Sequence, residues 1–124
     1  MIRGWALVAT LLAACDGRPD RPPADVDPGP VPAALADGER IYRAGCQACH
    51  GPHGVGTTHG PPLVHRYYVP SHHADEAFRL AIRLGVRPHH WHFGPMPPIP
   101  GMDDRAVSAV IGYIRWLQQQ RGIV

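Results

Sequence analysis

Two cysteines and a histidine lie within five consecutive residues, Cys46-Gln47-Ala48-Cys49-His50. When such a segment forms one helical turn, the two thiols face the same edge of a planar group. They can then add across the two vinyl groups of a haem, and the histidine that follows faces the iron. A neutral imidazole binds iron through one ring nitrogen and donates a hydrogen bond from the other. The motif therefore predicts one covalently attached haem c, with His50 as an axial ligand.

Two other kinds of site use closely spaced cysteines, a zinc half-site and a dithiol redox pair. A zinc site would need two further thiols, or a pair of histidines at the spacing found in zinc modules. A thioredoxin-type dithiol would need a strand before it and a β-α unit around it. Neither context is found in the sequence, which favours haem attachment.

Three segments have the periodicity of amphipathic helices and are expected to position the motif. The first runs toward Cys46, and its apolar face comprises Ala34, Leu35, Gly38, Ile41 and Tyr42. The second begins near Ser71 and stops at Gly85, and its expected core stripe comprises Ala77, Leu80, Ala81 and Leu84. No segment alternates as a strand would, so the sequence predicts an all-α domain.

The third helical segment has the clearest signals. Asp103 is a suitable N-cap, and Asp104 suits the positive end of the helix dipole. The segment is expected to continue to about Gly122. Its core stripe comprises Val107, Val110, Ile111, Ile114 and Leu117.

The N-terminal residues have the features of an export signal. The run Trp5 to Ala14 is mostly apolar, follows the charge of Arg3, and is too short to span a membrane. Leu12-Ala13-Ala14-Cys15 resembles a lipobox, which predicts a lipoprotein signal peptide over residues 1–14 and a lipidated Cys15. An ordinary signal peptide that happens to contain a cysteine is the alternative.

A proline- and aspartate-rich stretch follows the predicted lipidation site. Residues 16–32 contain six prolines and four aspartates, so residues 15–33 are expected to form a flexible tether before a domain over residues 34–124. Asp16 resembles an inner-membrane retention signal of some bacterial lipoproteins. The sequence thus predicts a protein anchored at the periplasmic side of a bacterial membrane, the inner membrane being favoured over the outer.

Several motifs together resemble the class I (mono-haem) cytochrome c family over about residues 34–124. They are Gly38, Tyr42, the Cys46 to His50 segment, Gly60-Pro61-Pro62-Leu63, Met96-Pro97-Pro98 and the last helix with Tyr113. The resemblance implies a small cytochrome c fold, with three main helices and long Gly- and Pro-rich loops around one haem. It also implies that the first and last helices cross at Gly38, with Tyr42 packed toward Tyr113.

The resemblance further assigns roles at the haem. The Pro61 carbonyl would accept the hydrogen bond from His50, and Leu63 would pack on the porphyrin. Met96 would be the sixth iron ligand, because it lies in the Gly- and Pro-rich loop just before the last helix. Met102 is expected to be a core side chain.

Iron bound by both His50 and Met96 has no open position, which implies an electron carrier rather than an enzyme. Expected partners are membrane or periplasmic redox proteins in transient contact, with Arg66, Arg79, Arg83 and Arg87 as candidate contact residues. A net charge of +2 does not suggest nucleic acid as a partner. The alternative function is a haem or copper site with sensing, copper-handling or peroxidase-like chemistry.

Histidine is abundant, with nine in the chain, and two interpretations remain open. His89, His90 and His92 just before Met96, together with the pair His72 and His73, could form a polar rim of the haem crevice. In that case Trp91 could donate a hydrogen bond to a haem propionate. Alternatively, His89, His90 and His92 could bind a second metal, most plausibly copper.

Overall fold

A computed structural model describes residues 27–124. These residues form four α-helices, α1 (Ala36–Gly45), α2 (Gln47–His50), α3 (Asp75–Leu84) and α4 (Asp104–Gln119). Three short 3-10 turns occupy Ala33–Leu35, Pro52–Gly54 and Arg66–Tyr68. Within residues 27–124 there is no strand, only one isolated bridge between Val86 and Met96. The all-α prediction is confirmed, and α2 adds a single helical turn to the three main helices.

The predicted signal peptide, the predicted lipidation site at Cys15 and most of the predicted tether lie outside the described residues. Near the start of the described part, Val31 packs against the core. Among residues 27–124, no helix has both the length and the apolar character needed to cross a membrane.

The close crossing of α1 and α4 is the main contact between elements. Gly38 makes it possible, because a Cβ atom at this position would lie 2.9 Å from the Tyr113 Cβ and would press on the Ala109 carbonyl. One turn further along α1, the ring of Tyr42 packs on that of Tyr113 with 5.5 Å between centroids. Both contacts agree with the resemblance described above.

Helix α4 supplies the centre of the core. Its N-cap is Asp103, whose carboxylate accepts a hydrogen bond from the Ala106 amide at 2.7 Å. All five residues of the predicted stripe are buried: Val107, Val110, Ile111, Ile114 and Leu117. The helix ends at Gln119, three residues before the expected Gly122.

Helix α3 starts later than predicted and buries a different face. Its first residue is Asp75, because residues 71–73 form a turn and Ala74 is an extended N-cap. The buried side chains are Phe78 and Ile82, whereas Leu84 is 72% exposed. The predicted core stripe is therefore wrong at Leu84 and also at Leu80, which is 47% exposed. Phe78 and Ile82 belong to the core and also line the cavity described below. Ala77, Leu80 and Ala81 line the cavity as well, so the predicted stripe faces the cavity more than the core.

Backbone hydrogen bonds fix the segment that follows α3. Gly85 ends the helix, as predicted, with a φ of 75° that favours glycine. The next residue, Val86, exchanges two backbone hydrogen bonds with Met96, of 2.9 and 3.0 Å. The loop that carries His89, His90 and His92 is therefore closed at its base by this bridge.

Candidate functional site

The motif residues lie where α1 ends and α2 begins. The His50 amide donates to the Cys46 carbonyl at 2.9 Å, so the motif forms one helical turn, as its spacing suggests. Cys46 and His50 are each 8% exposed, whereas Cys49 is exposed. Burial raises the pKa of the Cys46 thiol to about 11, with a contribution from nearby Cys49, so in the folded chain this thiol is protonated at neutral pH.

A hydrogen bond orients the His50 ring. The Nδ1 atom lies 2.9 Å from the Pro61 carbonyl oxygen, which can only accept, so Nδ1 carries the proton and donates. Burial lowers the pKa of His50 and favours the neutral ring. The lone pair is then on Nε2, the nitrogen available to a metal. This is the contact that the resemblance assigned to His50 and Pro61.

The loop that follows His50 folds back over the motif. Its turn is closed by the Gly56 amide, which donates to the His50 carbonyl at 2.7 Å, and by the Leu63 amide, which donates to the Gly54 carbonyl at 2.8 Å. The Leu63 side chain is buried. Its backbone carbonyl accepts a 2.9 Å hydrogen bond from the side-chain amide of Gln118 on α4.

These elements surround a cavity of about 500 Å³. Its walls are mostly apolar and include Cys46, His50, Leu63 and Met96. Cys49 is not among the lining residues; it lies on the exposed side of α2. The volume is within the range of sites that bind organic cofactors. A thiol, a neutral imidazole and a thioether around an apolar space are donors that suit a haem, so these residues fit the group that the motif predicts.

The two methionines of the domain have different surroundings. Met96 lines the cavity, and its backbone is paired with Val86. Met102 does not line the cavity and packs against the hydrophobic core instead. The placement of Met96 is compatible with its predicted role as a ligand, which stays a prediction.

Trp91 also lines the cavity, but its donor is engaged within the protein. The indole Nε1–H donates to the Tyr68 hydroxyl at 3.1 Å. A hydrogen bond from Trp91 to a propionate stays a prediction, and it would require the bond to Tyr68 to be given up.

The histidines that lie close together in the structure are not the three that the sequence predicted as a second metal site. Ring nitrogens of His72, His73 and His90 lie within 4.8 Å of one another. His89 packs on this group through ring contacts with His73 and His90, and His92 is exposed and outside it. The predicted set of His89, His90 and His92 thus shares only His90 with the group that the structure brings together.

Two polar residues of α4 were missed by sequence reasoning. Arg115 is 13% exposed and donates hydrogen bonds to Asp75 and to backbone carbonyls of the segment before α3. Gln118 is fully buried and accepts from Arg115 at 2.8 Å. The sequence does carry a signal for Gln118. It lies seven residues after Ile111 and four after Ile114, so a polar side chain occupies a position on the apolar stripe of α4.

Some of the candidate contact arginines are already paired within the domain. Arg79 donates to the Ser108 hydroxyl at 3.0 Å, and Arg83 forms an ion pair with Asp104, so both connect α3 to α4. The guanidinium of Arg66 lies over the Tyr67 ring at 5.6 Å. A role of these residues in partner binding stays a prediction.

Comparisons with known proteins agree with this geometry. The chain is similar in structure to the c-type cytochrome XoxG from Methylobacterium extorquens AM1, with a TM-score of 0.55 and 24% sequence identity. The match covers 71% of this chain and 52% of that protein, so the chain spans about half of its length, and at this identity the likeness shows the fold. No curated protein sequence matches the chain. The sequence model of the family described as "Cytochrome c" matches residues 35–118, more than half of the chain, and the chain belongs to that family.

Proposed function

We propose that this chain is an electron carrier with one haem c attached to Cys46 and Cys49 and bound axially by His50 and Met96. The observation that carries the proposal is the shared cavity. Cys46, His50 and Met96 line one apolar space, and the His50 Nδ1–H is bound to the Pro61 carbonyl. Family membership supports the haem, because attachment through two cysteines and a following histidine is the mode that this motif serves.

The protein residues prepare the axial positions. The Pro61 carbonyl fixes the tautomer of His50, which leaves Nε2 unprotonated and makes the ring a better ligand. The Val86 bridge and the two prolines after Met96 restrict the backbone that carries the thioether. Bound haem supplies a one-electron iron couple. Ligands that stay in place in both redox states keep the reorganisation on electron transfer small.

The cavity walls set the environment of the iron. Apolar side chains from α3 and α4, among them Phe78, Ile82, Val110 and Ile114, exclude water. A methionine ligand and a buried site both favour the reduced iron and a relatively high potential. With His50 and Met96 both bound to the iron, oxygen and peroxide would have no place to bind, so we propose a carrier and not an enzyme.

A second candidate function is a haem site with sensing, copper-handling or peroxidase-like chemistry. The observation that favours it is that His72, His73 and His90 line the same cavity as His50 and Met96. A histidine that replaced Met96, or a methionine that left the iron, would change the chemistry. Ready binding of carbon monoxide to the reduced protein would support this second function.

The proposed location and partners rest on the sequence. We propose a lipid anchor at Cys15, a periplasmic position at the inner membrane, and transient contacts with membrane or periplasmic redox proteins. Nucleic acid is not a proposed partner. A haem-stained denaturing gel of the membrane fraction tests the anchor and the covalent link together, because only a thioether-bound haem remains on the denatured chain.

The ligand assignment is tested by Met96→Ala, with Met102→Leu as its control. The ferric wild type is expected to show the charge-transfer absorption band of a methionine bound to iron. Met96→Ala should abolish the band and allow carbon monoxide to bind after reduction, whereas Met102→Leu should do neither, because Met102 packs in the core. A band that survives Met96→Ala, or that is absent from the wild type, would contradict His/Met ligation.

A further inference from the structure

Three histidines from two separate segments meet at the rim of the cavity. His72 and His73 lie in the turn before α3, and His90 lies in the loop closed by the Val86 bridge. Their ring nitrogens lie within 4.8 Å of one another. We propose that His72, His73 and His90 form a second metal site, which binds one divalent late first-row transition metal ion with Cu²⁺ held most tightly. Imidazole ligands suit this class of ion, and the order of affinities within it peaks at copper.

The separation of two of the nitrogens agrees with shared coordination. His72 Nε2 and His90 Nε2 are 3.4 Å apart. Two nitrogens at about 2.0–2.1 Å from a tetrahedral ion such as Zn²⁺ are about 3.3–3.4 Å apart. Neighbouring nitrogens of a tetragonal Cu²⁺ ion are about 2.8–3.0 Å apart, so Cu²⁺ would draw the two rings closer together by about 0.5 Å. A direct hydrogen bond between the two rings also fits the observed distance, so the proposal needs a second observation.

The hydrogen bond of His73 is that second observation. Its Nδ1 lies 2.6 Å from the Tyr67 carbonyl, which can only accept, so Nδ1 carries the proton and Nε2 carries the lone pair. Metal-binding histidines are commonly oriented in this way, with the second ring nitrogen donating to a carbonyl. His73 is thus held in the tautomer that a metal site requires.

The surroundings favour neutral rings. Burial lowers the pKa of His73 and of His90, and the neighbouring histidines lower both further. Arg115 adds to the effect at His73. The hydrogen bond from His73 to the Tyr67 carbonyl acts in the opposite direction and raises its pKa.

Residues outside the group of three histidines also fix its position. Arg115 on α4 donates to the His73 carbonyl at 2.5 Å and to the Tyr68 carbonyl at 2.7 Å, which fixes the turn against the core. The Tyr67 ring stacks on His90 with 4.8 Å between centroids. Arg115 and Tyr67 are therefore positioning residues for the site.

Because of its location, a metal ion in this site should change the reduction potential of the haem. This consequence rests on the proposed function. All three histidines line the cavity that His50 and Met96 also line. A divalent cation there stabilises the reduced iron, which has the lower positive charge. Loading with Zn²⁺, which has no redox chemistry, should therefore raise the reduction potential of the haem.

The experiment titrates the full-length, haem-loaded protein with Cu²⁺ alone by calorimetry, together with electron paramagnetic resonance. The wild type is expected to bind one Cu²⁺ per chain with nitrogen hyperfine structure. His72→Ala with His90→Ala should weaken binding more than about 100-fold, since losing outer partners alone costs about 10–100-fold. The matched control is His59→Ala with His92→Ala, which removes two exposed histidines outside the group and should leave binding unchanged.

Three results would overturn the proposal. They are the absence of stoichiometric Cu²⁺ binding by the wild type, unchanged binding by the His72/His90 variant, and equal loss in the control. If that variant does not fold, nitrogen hyperfine structure in the wild type together with full binding by the control supports the site, and loss of binding in the control overturns it. Cu²⁺ binding is read by calorimetry and electron paramagnetic resonance, whereas haem attachment is read by the haem-stained denaturing gel, so failure of the haem proposal and failure of this one are distinguishable.

Discussion

Tyr42 joins the two ends of the haem-binding motif. Its backbone carbonyl accepts from the Cys46 amide at 2.9 Å, and its hydroxyl donates to the Gly51 carbonyl at 2.7 Å, just beyond His50. The side chain is only 1% exposed, and burial raises the pKa of the hydroxyl, so it remains a donor. Tyr42 therefore fixes the distance between the start and the end of the motif.

Tyr42→Phe is expected to lower the free energy of unfolding of the haem-loaded protein by about 1–3 kcal/mol, because a buried carbonyl loses its donor. Denaturation in guanidinium measures the change. Tyr113→Phe is the control, since Tyr113 is the buried ring partner of Tyr42, whereas the hydroxyl that donates to the Gly51 carbonyl belongs to Tyr42. Equal effects of the two substitutions would show that the Gly51 bond is not the cause.

At the scale of elements, the domain depends on how closely α1 approaches α4. The contact is close because Gly38 has no side chain, and a Cβ atom there would meet backbone and Cβ atoms of α4. Backbone cannot move aside as the end of a flexible side chain can. The crossing therefore constrains the position of Tyr42 and, one turn later, of Cys46.

Gly38→Ala is expected to destabilise the protein by about 1–3 kcal/mol through overpacking, despite the gain of about 1 kcal/mol in helix propensity. Gly45→Ala is the matched control in the same helix, because no atom lies within 4 Å of a Cβ at that position. It should leave the thermal midpoint unchanged or raise it. If Gly38→Ala also raises the midpoint, the close crossing is not a constraint.

At the scale of the whole molecule, Arg115 connects the last helix to the segment from Tyr68 to Asp75, which leads into α3. Its guanidinium donates to Asp75, to Gln118 and to the carbonyls of Tyr68 and His73. It also lies over the Phe78 ring at 4.7 Å. Partners on so many elements make it the centre of a network that links the core to the histidine group.

Arg115→Lys retains the charge but cannot reproduce the planar fork, so several carbonyls lose donors. We expect a loss of about 2 kcal/mol in the free energy of unfolding and weaker Cu²⁺ binding, because the turn at His73 is no longer fixed. Arg105→Lys is the control, since Arg105 is 89% exposed and makes one 3.8 Å ion pair with Asp37. Stability and Cu²⁺ affinity that match those of the control would contradict this role for Arg115.

Local features of the sequence were sufficient to predict the core face of α4, the end of α3 and the haem motif. The Asp103 cap, the Gly85 stop and the stripe of α4 depend on residues within a few positions of one another. So does the helical turn that joins Cys46 to His50. Such contacts are set by backbone hydrogen bonding and helical periodicity, which adjacent residues determine.

Only the tertiary structure decided which distant residues meet. His72 and His90 are 18 residues apart, and Gln118 bonds to Leu63 across 55 residues. Leu84 is exposed although it continues an apolar stripe. The sequence by itself determined the local elements and the residues able to bind a haem. The partners of Arg115, the grouping of the histidines and the cavity side of α3 depended on how the loops close around the cavity, and no local periodicity encodes that path.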